Sequence, residues 1–337
     1  MRKILLALMA FLAIPVMAQP LGEVEPTDPA SWATVPANKP FVLSWASRDV
    51  HYAQSSVPRI IPTTEISLTG WRGETVSALA LLSSRSGSQP LRLEMLSADA
   101  TTRQADSVAT ARFVRYVLCD EKRGCGDNLM NTPTYLVPDI IDVDTAWALA
   151  PMTTRPVWVS IQVPRNAQAG ANKLYLAVRD AQSHQELGRL ALTLNVVDRT
   201  LPRPCDYSFH VDFWQQPYSV SRYDGLKRWS PQHFERLKPY LQLLARGGQK
   251  VVTAILFYEP WGVQSNDKFD AMIKTTRRKN GKWRYDYSVF DRYVALCDSC
   301  GINQQINCYS MIPWDMTFTY YDEALKRDVA LKTGTSD

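Results

Sequence analysis

Lys250-Val-Val-Thr-Ala-Ile-Leu-Phe-Tyr258 decides how this chain is read. An unbroken apolar run, rich in β-branched residues and lacking alternation, is what a strand buried on both faces of a parallel sheet requires. It ends in Glu259-Pro-Trp261. Two further stretches have the same form, Phe209-His-Val-Asp-Phe-Trp214 upstream and Gln304-Gln-Ile-Asn-Cys-Tyr-Ser-Met311 downstream. Helical periodicity fills the gaps. Ser230 is a good N-cap before Pro231, Phe234, Leu237, Leu241 and Leu244 share one face, and Gly247-Gly248 stops the helix, which Pro239 should kink. A second helix turns Val289, Phe290, Tyr293, Leu296 and Cys297 inward and stops at Gly301. Asn280-Gly281 predicts a hairpin between them. Strand, helix, strand, helix, strand predicts the first three βα units of a (β/α)8 barrel, whose strand ends face the substrate.

Upstream the pattern changes. Short alternating runs recur at Phe41–Ser47, Glu65–Thr69, Val76–Leu82, Leu91–Leu96, Arg112–Leu118, Val157–Val163, Lys173–Arg179 and Leu190–Val197. Turn residues separate them, which predicts an antiparallel β-sandwich over 41–200, with 119–150 as an irregular excursion. Leu201-Pro202-Arg-Pro204 marks a stiff linker into the 201–337 region. Residues 19–40 read as an extended lead-in. Residues 1–18 read as a signal peptide: Arg2-Lys3, then an apolar Ile4–Val16, then Val16-Met17-Ala18. The expected location is therefore periplasmic, cell-surface or extracellular.

The chain has 337 residues, 45% hydrophobic and 21% charged, with a net charge of +5 that falls to +3 without Arg2 and Lys3. No basic cluster exceeds the Lys274–Lys279 hairpin run, so no nucleic-acid partner is expected. Apart from the leader, no apolar run is long enough to predict a membrane span. Cys119 and Cys125 bracket a turn-like loop, and an oxidising compartment favours a disulfide there. Cys297-Asp-Ser-Cys300 has redox spacing but lies at a helix end, where thiolates gain no support. No Cys/His spacing predicts a metal site, no Walker or Gly-x-Ser-x-Gly motif occurs, and no cofactor is expected. No sequence feature assigns an oligomeric state.

The strand ends nominate His210, Asp212, Trp214, Glu259, Trp261, Asn307, Tyr309, Trp314 and Asp315. Sugars present C–H faces that stack on indole and phenol rings, and hydroxyls that pair with carboxylates and amides. The mixture therefore fits a glycan cleft. Each residue also has a structural reading: His210 as a core histidine, Asp212 as an ion-pair partner, the tryptophans as packing between loops. Asp322-Glu323 reads as a loop or helix start. Trp71-Arg-Gly-Glu74 reads as a packed turn with an ion pair, or as an inter-domain contact. A second functional reading is a non-catalytic carbohydrate-binding or envelope protein that uses Trp45, Trp71 or Trp158 of the sandwich.

Phe209-His-Val-Asp-Phe-Trp-Gln-Gln-Pro-Tyr218, Gly248-Gln-Lys-Val-Val-Thr-Ala254, Trp283-Arg-Tyr-Asp-Tyr287 with Phe290-Asp291, and Ile306-Asn-Cys-Tyr-Ser-Met-Ile-Pro-Trp314 resemble the catalytic-domain signature of glycoside hydrolase family 123. Trp71-Arg-Gly-Glu74 resembles a motif of the β-sandwich that precedes the barrel in such proteins. The resemblance implies a retaining β-N-acetylgalactosaminidase working by substrate assistance. The substrate's 2-acetamido oxygen attacks the anomeric carbon, an aspartate steadies the oxazolinium, and a neighbouring glutamate is acid and then base. It also implies that this Asp-Glu pair lies at the end of a fourth barrel strand. Phe318–Thr335 resembles the connection before that strand. The catalytic roles therefore have no residue here, and the chain alone is expected to be an inactive fragment. The resemblance carries over to His210, Asp212, Trp214, Trp261, Tyr309 and Trp314 as substrate-binding candidates.

Overall fold

A computed structural model describes residues 22–23, 29–119, 134–260, 267–309 and 313–332. The leader 1–18 and Cys125 of the expected disulfide lie outside them. The chain forms two compact units, Met1–Leu201 and Pro202–Asp337.

The first unit contains β1 (Gly22–Glu23), β2 (Val42–Ala46), β3 (Glu65–Arg72), β4 (Thr75–Ser84), β5 (Leu91–Leu96), β6 (Ala109–Cys119), β7 (Tyr135–Ile141), β8 (Ala146–Trp147), β9 (Thr153–Gln162), β10 (Gly170–Asp180) and β11 (Glu186–Thr200). They build two sheets, ordered β1-β7-β6-β9-β4-β2 and β3-β11-β10-β5-β8. Alternation supplies the core. Val157, Val159 and Ile161 of β9 and Ala78, Ala80 and Leu82 of β4 point one way, toward Leu174, Leu176 and Val178 of β10 and Leu190, Leu192 and Leu194 of β11. Each Val, Leu or Ile among them contributes about 1.5–3 kcal/mol on burial.

All eight expected strands are present, but three expectations need correction. The sandwich is not purely antiparallel: β3 runs parallel to β11, from Glu65↔Ala191 to Val197↔Trp71. The chain between them crosses the other sheet and returns, so no hairpin fixes their direction. The 119–150 region is not wholly irregular, because β7 and β8 lie in it. Pro138 hides β7 in the sequence; it lacks an N–H, and the β6–β7 register slips between Arg115 and Tyr116, beside Pro138. The lead-in is not wholly extended either. Pro29–Thr34 is a 3-10 helix, and Trp32 is buried with its indole N–H donated to Ser55 O at 2.9 Å.

Trp71-Arg-Gly-Glu74 is a packed turn. Gly73 takes φ +83°, Glu74 Oε2 accepts from the Trp71 amide at 2.8 Å, and Arg72 pairs with Asp198 at 2.6 Å rather than with Glu74. Trp45 is core, only 3% exposed, with its indole N–H donated to Ala191 O. It is therefore unavailable to a glycan.

The second unit contains α1 (Pro217–Tyr223), α2 (Pro231–Arg246), β12 (Val251–Ile255), β13 (Lys274–Arg277), β14 (Trp283–Asp286), α3 (Ser288–Ser299), β15 (Gln305–Tyr309), β16 (Thr317–Asp322) and β17 (Arg327–Lys332). Ser230 Oγ accepts from the His233 amide at the start of α2, as its cap position requires. Phe234, Leu237 and Leu241 of α2 and Tyr293 and Cys297 of α3 pack with Val252 and Ala254 of β12. Burial pushes the Cys297 thiol up to about 12, so the Cys297/Cys300 spacing supports packing rather than redox chemistry. β12 pairs in parallel with β15, from Val251↔Gln305 to Ile255↔Tyr309.

The first expected barrel strand, Phe209–Trp214, is not a strand. It runs beside β12, but glutamine side chains make much of the ladder. Phe213 N–H donates to Gln249 Oε1 at 2.7 Å, Thr253 N–H to Gln215 Oε1 at 2.7 Å, and Gln215 Nε2 to Val251 O at 3.2 Å. One direct backbone bond remains, Lys250 N–H to Val211 O at 3.0 Å. Gly248 lets the segment approach: it takes φ +89°, and a Cβ there would meet the Tyr207 ring at 2.6 Å.

The Asn280-Gly281 hairpin forms as β13 and β14. Within 317–332, β16 pairs with β17, and β16 runs parallel to β13. Asp322 ends β16 and accepts the amides of Ala324 and Leu325, so Asp322-Glu323 is the hairpin turn.

Candidate functional site

Side chains at positions i and i+2 of a strand share a face. On β15 these are Asn307 and Tyr309, both part-buried, whereas Ile306 and Cys308 are exposed. The chain running beside β12 delivers Asp212 to the Asn307 face. Asn307 Nδ2 donates to Asp212 Oδ2 at 3.0 Å, and Gln305 Nε2 donates to Asn307 Oδ1 at 2.5 Å. The second carboxylate oxygen, Asp212 Oδ1, is buried and has no hydrogen-bond partner. An orphaned buried acceptor is costly in a finished structure and waits for a donor.

Tyr309 stands beside this carboxylate. Burial first, and the Asp212 charge second, hold its phenol above the ordinary value, while a hydrogen bond from Asn307 opposes them. Its ring meets Trp214 edge-on at 5.2 Å, and Trp214 is 61% exposed. Asp212, Asn307, Tyr309 and Trp214 thus form one rim: a carboxylate, an amide, a phenol and an open indole.

The rim rests on a packed support. Tyr309 contacts the cluster of Tyr218, Ile255 and Phe269. Tyr218 is fully buried; Trp229 and Phe269 meet it edge-on, Arg228 lies over its face at 5.0 Å, and its hydroxyl donates to Asp270 O. His233 is also buried, accepting the Trp229 amide at Nδ1 and facing Pro217 O with Nε2.

Glu259, nominated as a rim residue, is 6% exposed and takes φ +47°, uncommon for a residue with a side chain. Its amide donates to Phe269 O at 2.9 Å, and Oε1 accepts the Phe269 amide, while Oε2 is buried without a partner. Burial raises its carboxyl above the ordinary 4.5, against a lowering by the Phe269 amide. A raised folded-state value means the fold holds the proton more tightly than the unfolded chain does. Its stability contribution is complete below the unfolded value and is lost as pH rises through the folded one. Glu259→Gln mimics the protonated group, so its stability relative to the parent is expected to rise from pH 4.5 to 7.5. Urea midpoints at the two pH values measure this; parallel shifts would count against a buried, proton-retaining Glu259.

Comparison with known proteins identifies the setting. The family model described as the glycoside hydrolase 123 catalytic domain matches residues 214–337, and that of the glycoside hydrolase 123 N-terminal domain matches residues 45–180. The chain belongs to glycoside hydrolase family 123. Among solved structures, a family 123 glycoside hydrolase from Clostridium perfringens, analysed for glycolipid glycan hydrolysis, is 22% identical with a TM-score of 0.76. That likeness shows a shared fold. It covers 88% of this chain and 53% of that one, so the chain spans about half the length of that enzyme. The E. coli chaperone DraB, at 9% identity and a TM-score of 0.26 over 52% of this chain and 64% of that one, is too distant to inform the fold. No curated protein matches this sequence.

For this family 123 chain, the structure brings the nominated Asp212, Trp214, Asn307 and Tyr309 together. His210 is exposed. Trp261 lies outside the described residues. Trp314 is 67% exposed, its loop tied down by its amide to Pro260 O at 3.0 Å. Asp315 Oδ1 accepts the Thr317 amide and so shapes a turn. Asn307 is the residue whose importance sequence reasoning undervalued; its signal was the two-residue spacing from Tyr309. Among the described residues, no cluster of three or more His, Cys, Asp or Glu could hold a metal ion, and no helix is long and apolar enough to cross a membrane.

Proposed function

We propose that the second unit supplies the sugar-holding rim of a β-N-acetylhexosaminidase acting on β-linked N-acetylgalactosamine glycans. The observation that carries this reading is the Asp212 carboxylate: fixed by Asn307 on one oxygen, unpartnered on the other, beside Tyr309 and the exposed Trp214. A pyranose hydroxyl can donate to Asp212 Oδ1, and the sugar's C–H face can lie against the indole.

The barrel belongs to this proposal. The 211–215 segment, β12 and β15 are read as adjacent staves of a (β/α)8 wall, with the rim at their C-terminal ends. Family membership supports hydrolysis with retention by substrate assistance. The acetamido oxygen bonds to the anomeric carbon as the glycosidic bond breaks. An aspartate steadies the oxazolinium, and a glutamate protonates the leaving oxygen and then deprotonates water. We assign the residues of this chain to holding the sugar, not to proton transfer. The 1–18 leader supports export to the periplasm, cell surface or medium.

The test is calorimetric titration of the 337-residue protein with methyl N-acetyl-β-D-galactosaminide and methyl β-D-galactoside. The N-acetylated sugar is expected to bind at least about tenfold more tightly. Equal affinity would remove N-acetylhexosamine recognition from the account.

A further inference from the structure

The sandwich unit carries a built hollow that the rim does not use. Alternation turns Val157 and Val159 of β9 into the core, so Trp158 faces outward from the six-stranded sheet, with Leu79 and Leu81 of β4. Residues 48–60 form a strap over this face. Hydrogen bonds pin the strap: Thr154 N–H to Gln54 O at 2.7 Å, Thr154 Oγ1 to Ser56 O at 2.8 Å, Tyr116 Oη to Tyr52 O at 2.7 Å and the Trp32 indole to Ser55 O at 2.9 Å. A hollow of about 240 Å³ remains, with Trp158, Leu79, Val114 and Pro156 as its apolar lining and Arg48, His51 and Asp139 as polar lining. Val50 and His51 also line a second hollow of about 570 Å³, which reaches Ser56 and Arg59.

The polar groups are not spent on the fold. Arg48 gives one guanidinium N–H to Ser77 O at 3.2 Å, and neither Arg48 nor Arg59 has an ion-pair partner among the described residues. Ser56 Oγ is buried without a partner. Asp139 is the one acid lining either hollow. An indole and the Arg48 guanidinium in one hollow, with Arg59 and an orphaned hydroxyl in the hollow that shares Val50 and His51 with it, are the chemistry of a preformed small-ligand site.

We infer that the hollow under the 48–60 strap binds an acidic sugar unit, with its C–H face on Trp158 and its carboxylate or sulfate ester on Arg48. Choosing a sugar as carrier of the anion rests on the glycan reading of the second unit. A chain-borne acidic-sugar site would raise the local concentration of an anionic glycan for that unit.

The test is calorimetric titration of the 337-residue protein with methyl β-D-glucuronide, methyl β-D-glucoside and sodium sulfate. The glucuronide is expected to bind at least about tenfold more tightly than either of the others. Arg48→Ala, on the surface and checked for an unchanged circular dichroism spectrum, is expected to remove that preference. Trp158→Phe is expected to weaken the glucuronide and leave sulfate unaffected. Equal affinity for glucuronide and glucoside, sulfate as tight as glucuronide, or no response to the Arg48 substitution would each overturn the inference. Asp212→Ala is expected to leave glucuronide binding unchanged, so failure at the strap and failure at the rim give different patterns.

Discussion

Asp212→Ala is expected to lower the N-acetylgalactosamine affinity of the 337-residue chain by at least about tenfold. A hydrogen bond to a charged acceptor is worth about 1.5–3 kcal/mol, and Asp212 Oδ1 is the buried acceptor left without a partner. The substitution also frees Asn307 Nδ2, which loses its 3.0 Å acceptor and with it the fixed orientation of the amide. Asp212→Asn keeps the size of the group but removes its charge, so an intermediate loss is expected. If Asp212 were only a structural partner of Asn307, both variants would alter stability while sugar affinity stayed level.

Tyr218→Ala should destabilise the second unit by about 3–5 kcal/mol, the usual cost of truncating a fully buried aromatic ring. The ring is held by Trp229, Phe269 and Arg228, and the cluster it anchors also supports Tyr309. The α-helices of the described residues all lie in the second unit, so ellipticity at 222 nm reports on it. Its melting midpoint is expected to fall on the order of 10 °C. Tyr218→Phe keeps the ring and loses the hydroxyl donated to Asp270 O, at about 1 kcal/mol. A drop of less than about 3 °C for Tyr218→Ala would show that the rim's support lies elsewhere.

The sandwich was legible because strict two-residue alternation, as in Val157, Val159 and Ile161, leaves little choice of face. What hid were features with no local signature. Parallel pairing of β3 with β11 depends on distant chain, and β7 was masked by Pro138. In the second unit, Val251–Ile255 announced itself by continuous apolarity. The neighbouring 209–214 segment looked like a strand, yet Gln215 and Gln249 make much of its ladder, and amide side chains carry no periodic signal. At the site, residue types on strand ends named Asp212, Trp214 and Tyr309. Only the fold could show that Asn307 fixes Asp212 and that Glu259 is buried.

The most direct test of the central claim is a titration of the ¹⁵N-labelled 337-residue chain with N-acetylgalactosamine, followed by amide and side-chain NMR shifts. The expected result is saturable shifts at the Asn307 side-chain amide, the Trp214 indole N–H and the Tyr309 backbone amide, with no comparable response to equal concentrations of glycerol. Shifts confined to the sandwich, or none at these three groups, would contradict a sugar-holding rim built on Asp212.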